Sequence, residues 1–320
     1  SSDFLQIETF SDVWGNHHIF SAVATSQSLN DSLANRQIYF ALTLMSYLFT
    51  ISVNLTLILT VCVDKALHQP MYIFMCNLCF TGICGASSFY LKLLLDLLAD
   101  AHVITYPGCL MQIFFIYAYV FCQLTSLTVM AYDRYLAICQ PLHYWALMTV
   151  QKVALLLVLT WCLSLLETAV GLVLIARLPI CSHHMTRIFC TSWEVVKLSC
   201  SDTIANNLYG VMIMFLHLVQ IVVILVSYVH LIRTAARSQT DRRKFAQTCI
   251  PHLVSLLVFS ASLLFEMLYS RYGSSSMPPL QNGLAAEFLV VPPIINPIIY
   301  GMNLQQIRTR IRLQFTFKRS

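Results

Sequence analysis

The sequence predicts an all-α membrane protein, a bundle of seven transmembrane helices followed by a short amphipathic eighth helix. Three observations predict it. Of 320 residues, 58% are hydrophobic and 10% charged, with a mean hydropathy of +0.71, whereas soluble domains are roughly 45–50% apolar and 25% charged. Seven apolar runs each reach the roughly 20 residues that a bilayer crossing needs. Basic residues gather in alternate loops. This composition excludes a water-soluble globule and most cytosolic enzymes, and the placement of the basic residues accounts for the net charge of +5 without a nucleic-acid partner.

The runs cover about 38–63, 71–97, 106–139, 149–175, 204–232, 245–270 and 283–301. Helices are the natural form, because an unclosed strand in lipid leaves its backbone groups unpaired and no run alternates as a barrel strand does. The chain therefore divides into an extracellular N-terminal segment (1–35), the bundle (36–302) and an amphipathic helix with a cytoplasmic tail (303–320). In that last part Ile307, Ile311 and Leu313 alternate with Arg308, Arg310 and Arg312, which suits a helix lying on the inner leaflet's lipid.

Seven spans put the termini on opposite sides, and thirteen of the nineteen lysines and arginines lie after spans one, three and five and in the tail. The positive-inside rule makes that side cytoplasmic. No cleavable signal pattern opens the sequence, so the first span is expected to direct membrane entry. No internal repeat is visible, which counts against an inverted-repeat transporter. A channel or transporter also needs a polar path across the membrane, and the few charges within the spans form no such line. An enzyme needs a nucleophile–base or metal constellation, and neither is present.

Two features inside the spans carry physical meaning. A guanidinium at the edge of an apolar helix is costly unless paired, and Arg134 has a carboxylate beside it in Asp133. Such a pair can act as a latch. Asn296-Pro297 interrupts span seven: proline lacks an N–H and clashes with the preceding turn, leaving a carbonyl for a side chain or water to satisfy. Of the twelve cysteines, Cys62, Cys76, Cys79 and Cys122 fall in apolar stretches as small hydrophobes, whereas Cys109, Cys181, Cys190 and Cys200 lie on the oxidising outer side. Four cysteines allow three pairings. His17-His18 and His183-His184 are adjacent pairs with no further ligand marked, so no metal or other cofactor is expected. Asn30-Asp31-Ser32 is a glycosylation sequon on the outer side, close to the membrane.

Span three ends in Met130-Ala131-Tyr132-Asp133-Arg134-Tyr135-Leu136-Ala137-Ile138-Cys139, followed by Gln140-Pro141-Leu142-His143-Tyr144. Asn54 lies in span one, Pro70-Met71-Tyr72 opens span two, and Ser227-Tyr228 ends span five. Lys244, Thr248-Cys249 and His252-Leu253 belong to span six, and Pro293-Ile294-Ile295-Asn296-Pro297-Ile298-Ile299-Tyr300 to span seven. Together these closely resemble the odorant receptors, a branch of the rhodopsin-like G-protein-coupled receptors. Gly82 stands where most of that family carry an aspartate, and Phe259-Ser260-Ala261 replaces their Phe-Tyr-Gly. These departures resemble those of fish odorant receptors, and an aspartate-based sodium site is not expected.

The resemblance implies a receptor that binds a small odorant outside and activates a stimulatory, olfactory-type G protein inside, raising cyclic AMP, in the plasma membrane of olfactory cilia. A rhodopsin-like receptor for a peptide or lipid is the rival within the class. By resemblance Asp133 holds Arg134 at rest, with Tyr135 completing the motif. When span six swings outward Arg134 is freed for the G protein, and Tyr228 and Tyr300, beside the Asn296-Pro297 hinge, pack toward it. The implied disulfides are Cys109–Cys190 and Cys181–Cys200.

A pocket between the outer halves of spans three, five, six and seven is lined by Ile116, Tyr117, Val120, Phe121, Tyr209, Met212, Ile213, Leu216, Leu263, Leu264 and Met267. Such an apolar and aromatic surface suits small organic ligands. Ile116 stands where amine receptors carry an aspartate, which disfavours a cationic ligand there, and span seven has no lysine for a retinal Schiff base. Arg271 offers a guanidinium to an anionic ligand group, unless Glu266 or Glu287 faces inward and neutralises it. Glu167 in span four is a further intramembrane carboxylate and a functional candidate by default.

Overall fold

The computed structural model describes residues 19–22, 33–99, 103–182, 184, 185, 187, 189–235, 239–272 and 286–303. Among them run seven long helices: α1 Leu33–Val63, α2 Pro70–Leu98, α3 Tyr106–Cys139, α4 Val150–Ala176, α5 Ile204–Ala235, α6 Gln239–Tyr272 and α7 Glu287–Asn303. Each coincides with one expected span. Their starts follow from local chemistry. Pro70 opens α2, where a missing N–H costs nothing. Thr105 caps α3 by accepting from the Gly108 N–H, and Thr149 caps α4 by accepting from that of Lys152, both at 3.3 Å.

The largest boundary difference is at α6, which begins at Gln239 rather than near 245. Its first turns, Gln239 to Lys244, are polar. Apolarity therefore marks where the helix lies in lipid, not where it starts. Six helices are long and apolar enough to cross a membrane, and α7 is shorter. At 17 residues it spans about 25 Å, just under the roughly 30 Å hydrocarbon core.

The helix α3 is the axis of the bundle. It packs against α2, α4, α5 and α6, and 67% of its most apolar window is buried against 17% for α5. On α1, α4 and α5 the outward faces, including Leu42, Leu166 and Phe215, are exposed apolar surface, as expected where the solvent is lipid. The connection after α3 contains one helical turn, Tyr144–Leu147, and the long connection after α4 contains a short helix, Ser192–Lys197.

At the other end of α3 a small sheet forms from β1 Ile19–Ala22, β2 Val103–Thr105 and β3 His184–Met185. Strand β1 is central, antiparallel to β2 and parallel to β3. Strands of two to four residues are too short to leave a periodic signature, and the sequence reading did not foresee them. The sheet ties the N-terminal segment to the α2–α3 and α4–α5 connections. Arg36 fastens the same end, donating through Nη2 to the carbonyls of Leu97 (3.0 Å) and Ala99 (2.7 Å) at the end of α2.

Candidate functional site

At the end of α3 that carries the Asp-Arg-Tyr run, Asp133 is fully buried and its two oxygens are divided between two partners. Oδ2 accepts from Arg134 Nε at 2.9 Å and also from Nη2, and Oδ1 accepts from the Tyr144 hydroxyl at 2.7 Å. A carboxylate in this setting needs such donors, because an unsatisfied buried charge is costly. Burial and the Asp133 carboxylate together push the Tyr144 phenol's pKa up, so it stays a donor. Tyr135 faces α5, its ring 5.9 Å from that of His230.

Nearly two helix turns deeper, α3, α5 and α6 meet at His252, which is 1% exposed. Its Nε2 lies 2.9 Å from the Leu127 carbonyl and its Nδ1 2.6 Å from the Tyr228 hydroxyl. A carbonyl can only accept, so the proton is on Nε2 and Nδ1 accepts from Tyr228. Tyr228 is thereby held by α6, not by Arg134. Tyr300 is buried nearby, and Asn296 accepts from Ser255 of α6 at 2.6 Å.

The prolines of α7, Pro292, Pro293 and Pro297, free three carbonyls, and side chains of the bundle answer two of them. Pro297 cannot donate to the carbonyl of Pro293, four residues back; Asn54 Nδ2 of α1 donates to it at 2.7 Å. Pro292 likewise leaves the carbonyl of Phe288, and Tyr119 of α3 donates to it at 3.1 Å. Of two glycines of α2 beside these bonds, only Gly85 is required by the close approach. A Cβ on Gly85 would overlap the Tyr119 ring, while one on Gly82 would sit 3.5 Å from Pro293 Cβ, in ordinary contact.

At the opposite end both disulfides implied by the resemblance are present, Cys109–Cys190 and Cys181–Cys200, with Cα separations of 5.5 and 5.6 Å. The first draws the α4–α5 connection onto α3. Gln112 reinforces it, accepting from the Cys190 N–H at 2.9 Å and donating to the Ser88 carbonyl at 3.0 Å. Phe189 then inserts between Phe89 of α2 and Phe288 of α7, with ring centroids 5.7 and 6.5 Å away. Arg187 is 6% exposed and reaches Glu266 of α6, Nη1 to Oε2 at 3.3 Å. The connection is a buried lid tied to four helices.

Below the lid, Ile116, Val120, Phe121 and Ile213 are buried, and Tyr117, Tyr209, Leu263 and Met267 are partly so. The Tyr209 hydroxyl donates to the Glu167 carbonyl of α4. Three expected lining residues differ. Met212 and Leu216 of α5 are 54% and 48% exposed and face outward with Leu208 and Phe215, because α5 turns the arc of Ile213 and His217 toward α3, and Leu264 of α6 is 56% exposed, because α6 turns Phe259, Ser262 and Glu266 inward. The side chain of Arg271, the sequon at Asn30 and the segment 304–320 lie outside the described residues. Glu266, a candidate neutraliser of Arg271, is taken by Arg187. No group of three or more metal-ligating side chains occurs among the described residues.

A family model described as olfactory receptor matches residues 42–318. The chain belongs to the olfactory receptor family. Human Olfactory receptor 6N1 is 37% identical over 283 residues, covering 87% of this chain and 90% of that protein. Human Olfactory receptor 7C1 is 36% identical over 274 residues, 83% of each, and the dog Olfactory receptor-like protein OLF4 is 35% identical over 284 residues, 87% and 91%. The protein is thus an odorant receptor of the seven-helix, G-protein-coupled class, a multi-pass plasma-membrane protein and not an enzyme. These three relatives are mammalian, and the fish-like character expected from Gly82 and Ser260 rests on those departures alone.

Three residues of this olfactory receptor carry geometry that sequence reasoning missed. Tyr144 lay within the quoted run, but no spacing rule joins a loop tyrosine to a carboxylate eleven residues earlier. Arg187 is a loop residue between two disulfide cysteines, and only the lid's descent buries it. His217 follows Ile213 by four residues, which puts both on one face of α5, so its inward direction was legible. Its ring stacks on Phe121 at 5.0 Å, Nδ1 meets Gln220 Oε1 at 3.0 Å, and Gln220 donates onward to Thr128 at 2.6 Å. Nε2 then faces the Glu167 carboxylate at 3.6 Å.

Proposed function

We propose that the receptor binds a small organic odorant beneath the lid, against Ile116, Tyr117, Val120, Phe121, Tyr209, Ile213, Leu263 and Met267, and responds by activating a stimulatory, olfactory-type G protein, which raises cyclic AMP. The closed Asp133–Arg134 pair carries this reading. Two of the three hydrogen bonds on Asp133 form within the motif and the third comes from Tyr144 in the next connection. A movement of that connection therefore strips Asp133 of one donor and loosens the pair. Release of Arg134, and of Tyr228 from His252, supplies the groups for a partner on the cytoplasmic side.

The N-terminus is then extracellular and the C-terminus cytoplasmic, as the positive-inside count requires. Olfactory cilia are the expected location, by family.

The test is cyclic AMP in cells co-expressing the receptor and an olfactory-type stimulatory G protein, challenged with pooled odorants, with surface expression measured and Arg134→Ala alongside. An odorant response lost in Arg134→Ala supports the reading. A response carried by another class of G protein would overturn the stimulatory assignment, and one that survives in Arg134→Ala would overturn the switch.

A further inference from the structure

We propose that the Arg187–Glu266 pair is the polar anchor of the ligand site and selects neutral odorants that carry a hydroxyl group; this rests on the pocket reading above. Glu266 stands at the top of the inward face of α6. Phe259, Ser262 and Glu266 follow one another at helical spacing and are all buried, at 0%, 5% and 7% exposure, with partly buried Leu263 one turn below Glu266. The carboxylate therefore lies at the upper boundary of the apolar lining.

Arg187 comes from above. Its position is fixed by the loop on either side: Cys181 is bonded to Cys200 and Cys190 to Cys109, and Phe189 is held between α2 and α7. The guanidinium and carboxylate side chains are 7% and 9% exposed. The pair forms a charged ceiling above the apolar lining of Ile116, Val120, Phe121, Ile213 and Leu263.

The charge balance at this ceiling decides the ligand class. Beside it, Glu194 is buried and paired with Lys197 at 2.9 Å, so among the described residues two carboxylates meet two cations. An acidic ligand at Arg187 brings a third anion next to Glu266. An amine at Glu266 brings a third cation next to Arg187. Either leaves an uncompensated charge where solvent cannot screen it. A hydroxyl carries no charge and is both donor and acceptor: it donates to the Glu266 carboxylate and accepts from the Arg187 guanidinium, joining two groups already 3.3 Å apart. Hydrogen bonds to charged partners are the stronger kind, so one such contact orients an otherwise apolar molecule.

The experiment is a dose–response of the receptor to matched sets of alcohols, methyl ethers, carboxylic acids and primary amines on several carbon skeletons, read as G-protein activation with surface expression measured. The expected result is that alcohols are the most potent class and that the ethers, which lack the donor, are weaker by about tenfold. Glu266→Gln and Arg187→Gln should each remove most of that preference. The exchanged variant, Arg187→Glu with Glu266→Arg, should restore it, and it keeps the test decisive where a single variant fails to reach the surface. Acids or amines more potent than the matched alcohols would overturn the proposal, as would an alcohol preference unchanged in Glu266→Gln. In either case the odorant-receptor reading stands. Silence to every set, with receptor at the surface, overturns the pocket reading and this inference with it.

Discussion

The Asn54 amide of α1 donates to the Pro293 carbonyl of α7 at 2.7 Å, across 239 residues of sequence. That carbonyl is free because Pro297 has no N–H to offer it. The bond therefore repairs the interruption that makes α7 bendable, and it places the hinge under the control of α1. Tyr119 does the same for the Phe288 carbonyl. Two of the three carbonyls that the α7 prolines free are thus given donors from other helices.

Removing the first repair should destabilise the resting bundle. Asn54→Leu keeps the branching and heavy-atom count of the side chain and leaves the Pro293 carbonyl unsatisfied, a cost of about 1–3 kcal/mol. Thermal unfolding of the detergent-solubilised receptor should show a lower midpoint for Asn54→Leu than for the wild type. An unchanged midpoint would mean that another group or water takes over the carbonyl.

Gly82 and Gly85 should respond differently to the same methyl group. At Gly85 the added carbon displaces the Tyr119 ring and with it the bond to Phe288, an overpacking cost of about 1–3 kcal/mol. At Gly82 the nearest atoms are at 3.5 to 3.8 Å, so Gly82→Ala should be neutral or gain up to about 1 kcal/mol from helix propensity. Comparing the two variants' unfolding midpoints and surface levels checks this, and equal losses would contradict it.

Tyr144→Phe should raise basal signalling. It strips Asp133 Oδ1 of its donor while leaving the motif intact, and a hydrogen bond to a charged group contributes about 1.5–3 kcal/mol. Each 1.4 kcal/mol is about tenfold in an equilibrium. Ligand-free nucleotide exchange on the G protein should therefore increase severalfold over wild type. A Tyr144→Phe receptor as quiet as the wild type would show that the Arg134 contacts alone hold the latch.

The lid should depend on both disulfides. Non-reducing peptide mapping should recover Cys109 with Cys190 and Cys181 with Cys200, and loss of either bond should cost about 3–5 kcal/mol. Cys190→Ser should impair the odorant response more than Cys181→Ser, because it also releases the Gln112 contact and Phe189 from the bundle. Equal responses at matched surface levels would assign the lid's position to its side-chain contacts instead.

The sequence by itself determined the number and placement of the spans, the Asp133–Arg134 pair, the need of a partner for the carbonyl behind Pro297 and, through the family resemblance, both disulfides. These are properties of one helix at a time or of adjacent residues, and bilayer thickness and backbone chemistry dictate them locally. Only the tertiary structure decided which side chains answer those needs. Asn54 reaches Pro293 because α1 and α7 turn those faces toward each other, and Tyr144 and Arg187 reach Asp133 and Glu266 because the connections after α3 and α4 fold back onto the bundle. Rotation is also why Met212, Leu216 and Leu264 face lipid. In a membrane helix both faces are apolar, so hydrophobicity carries almost no record of which face turns inward; packing against neighbours sets it.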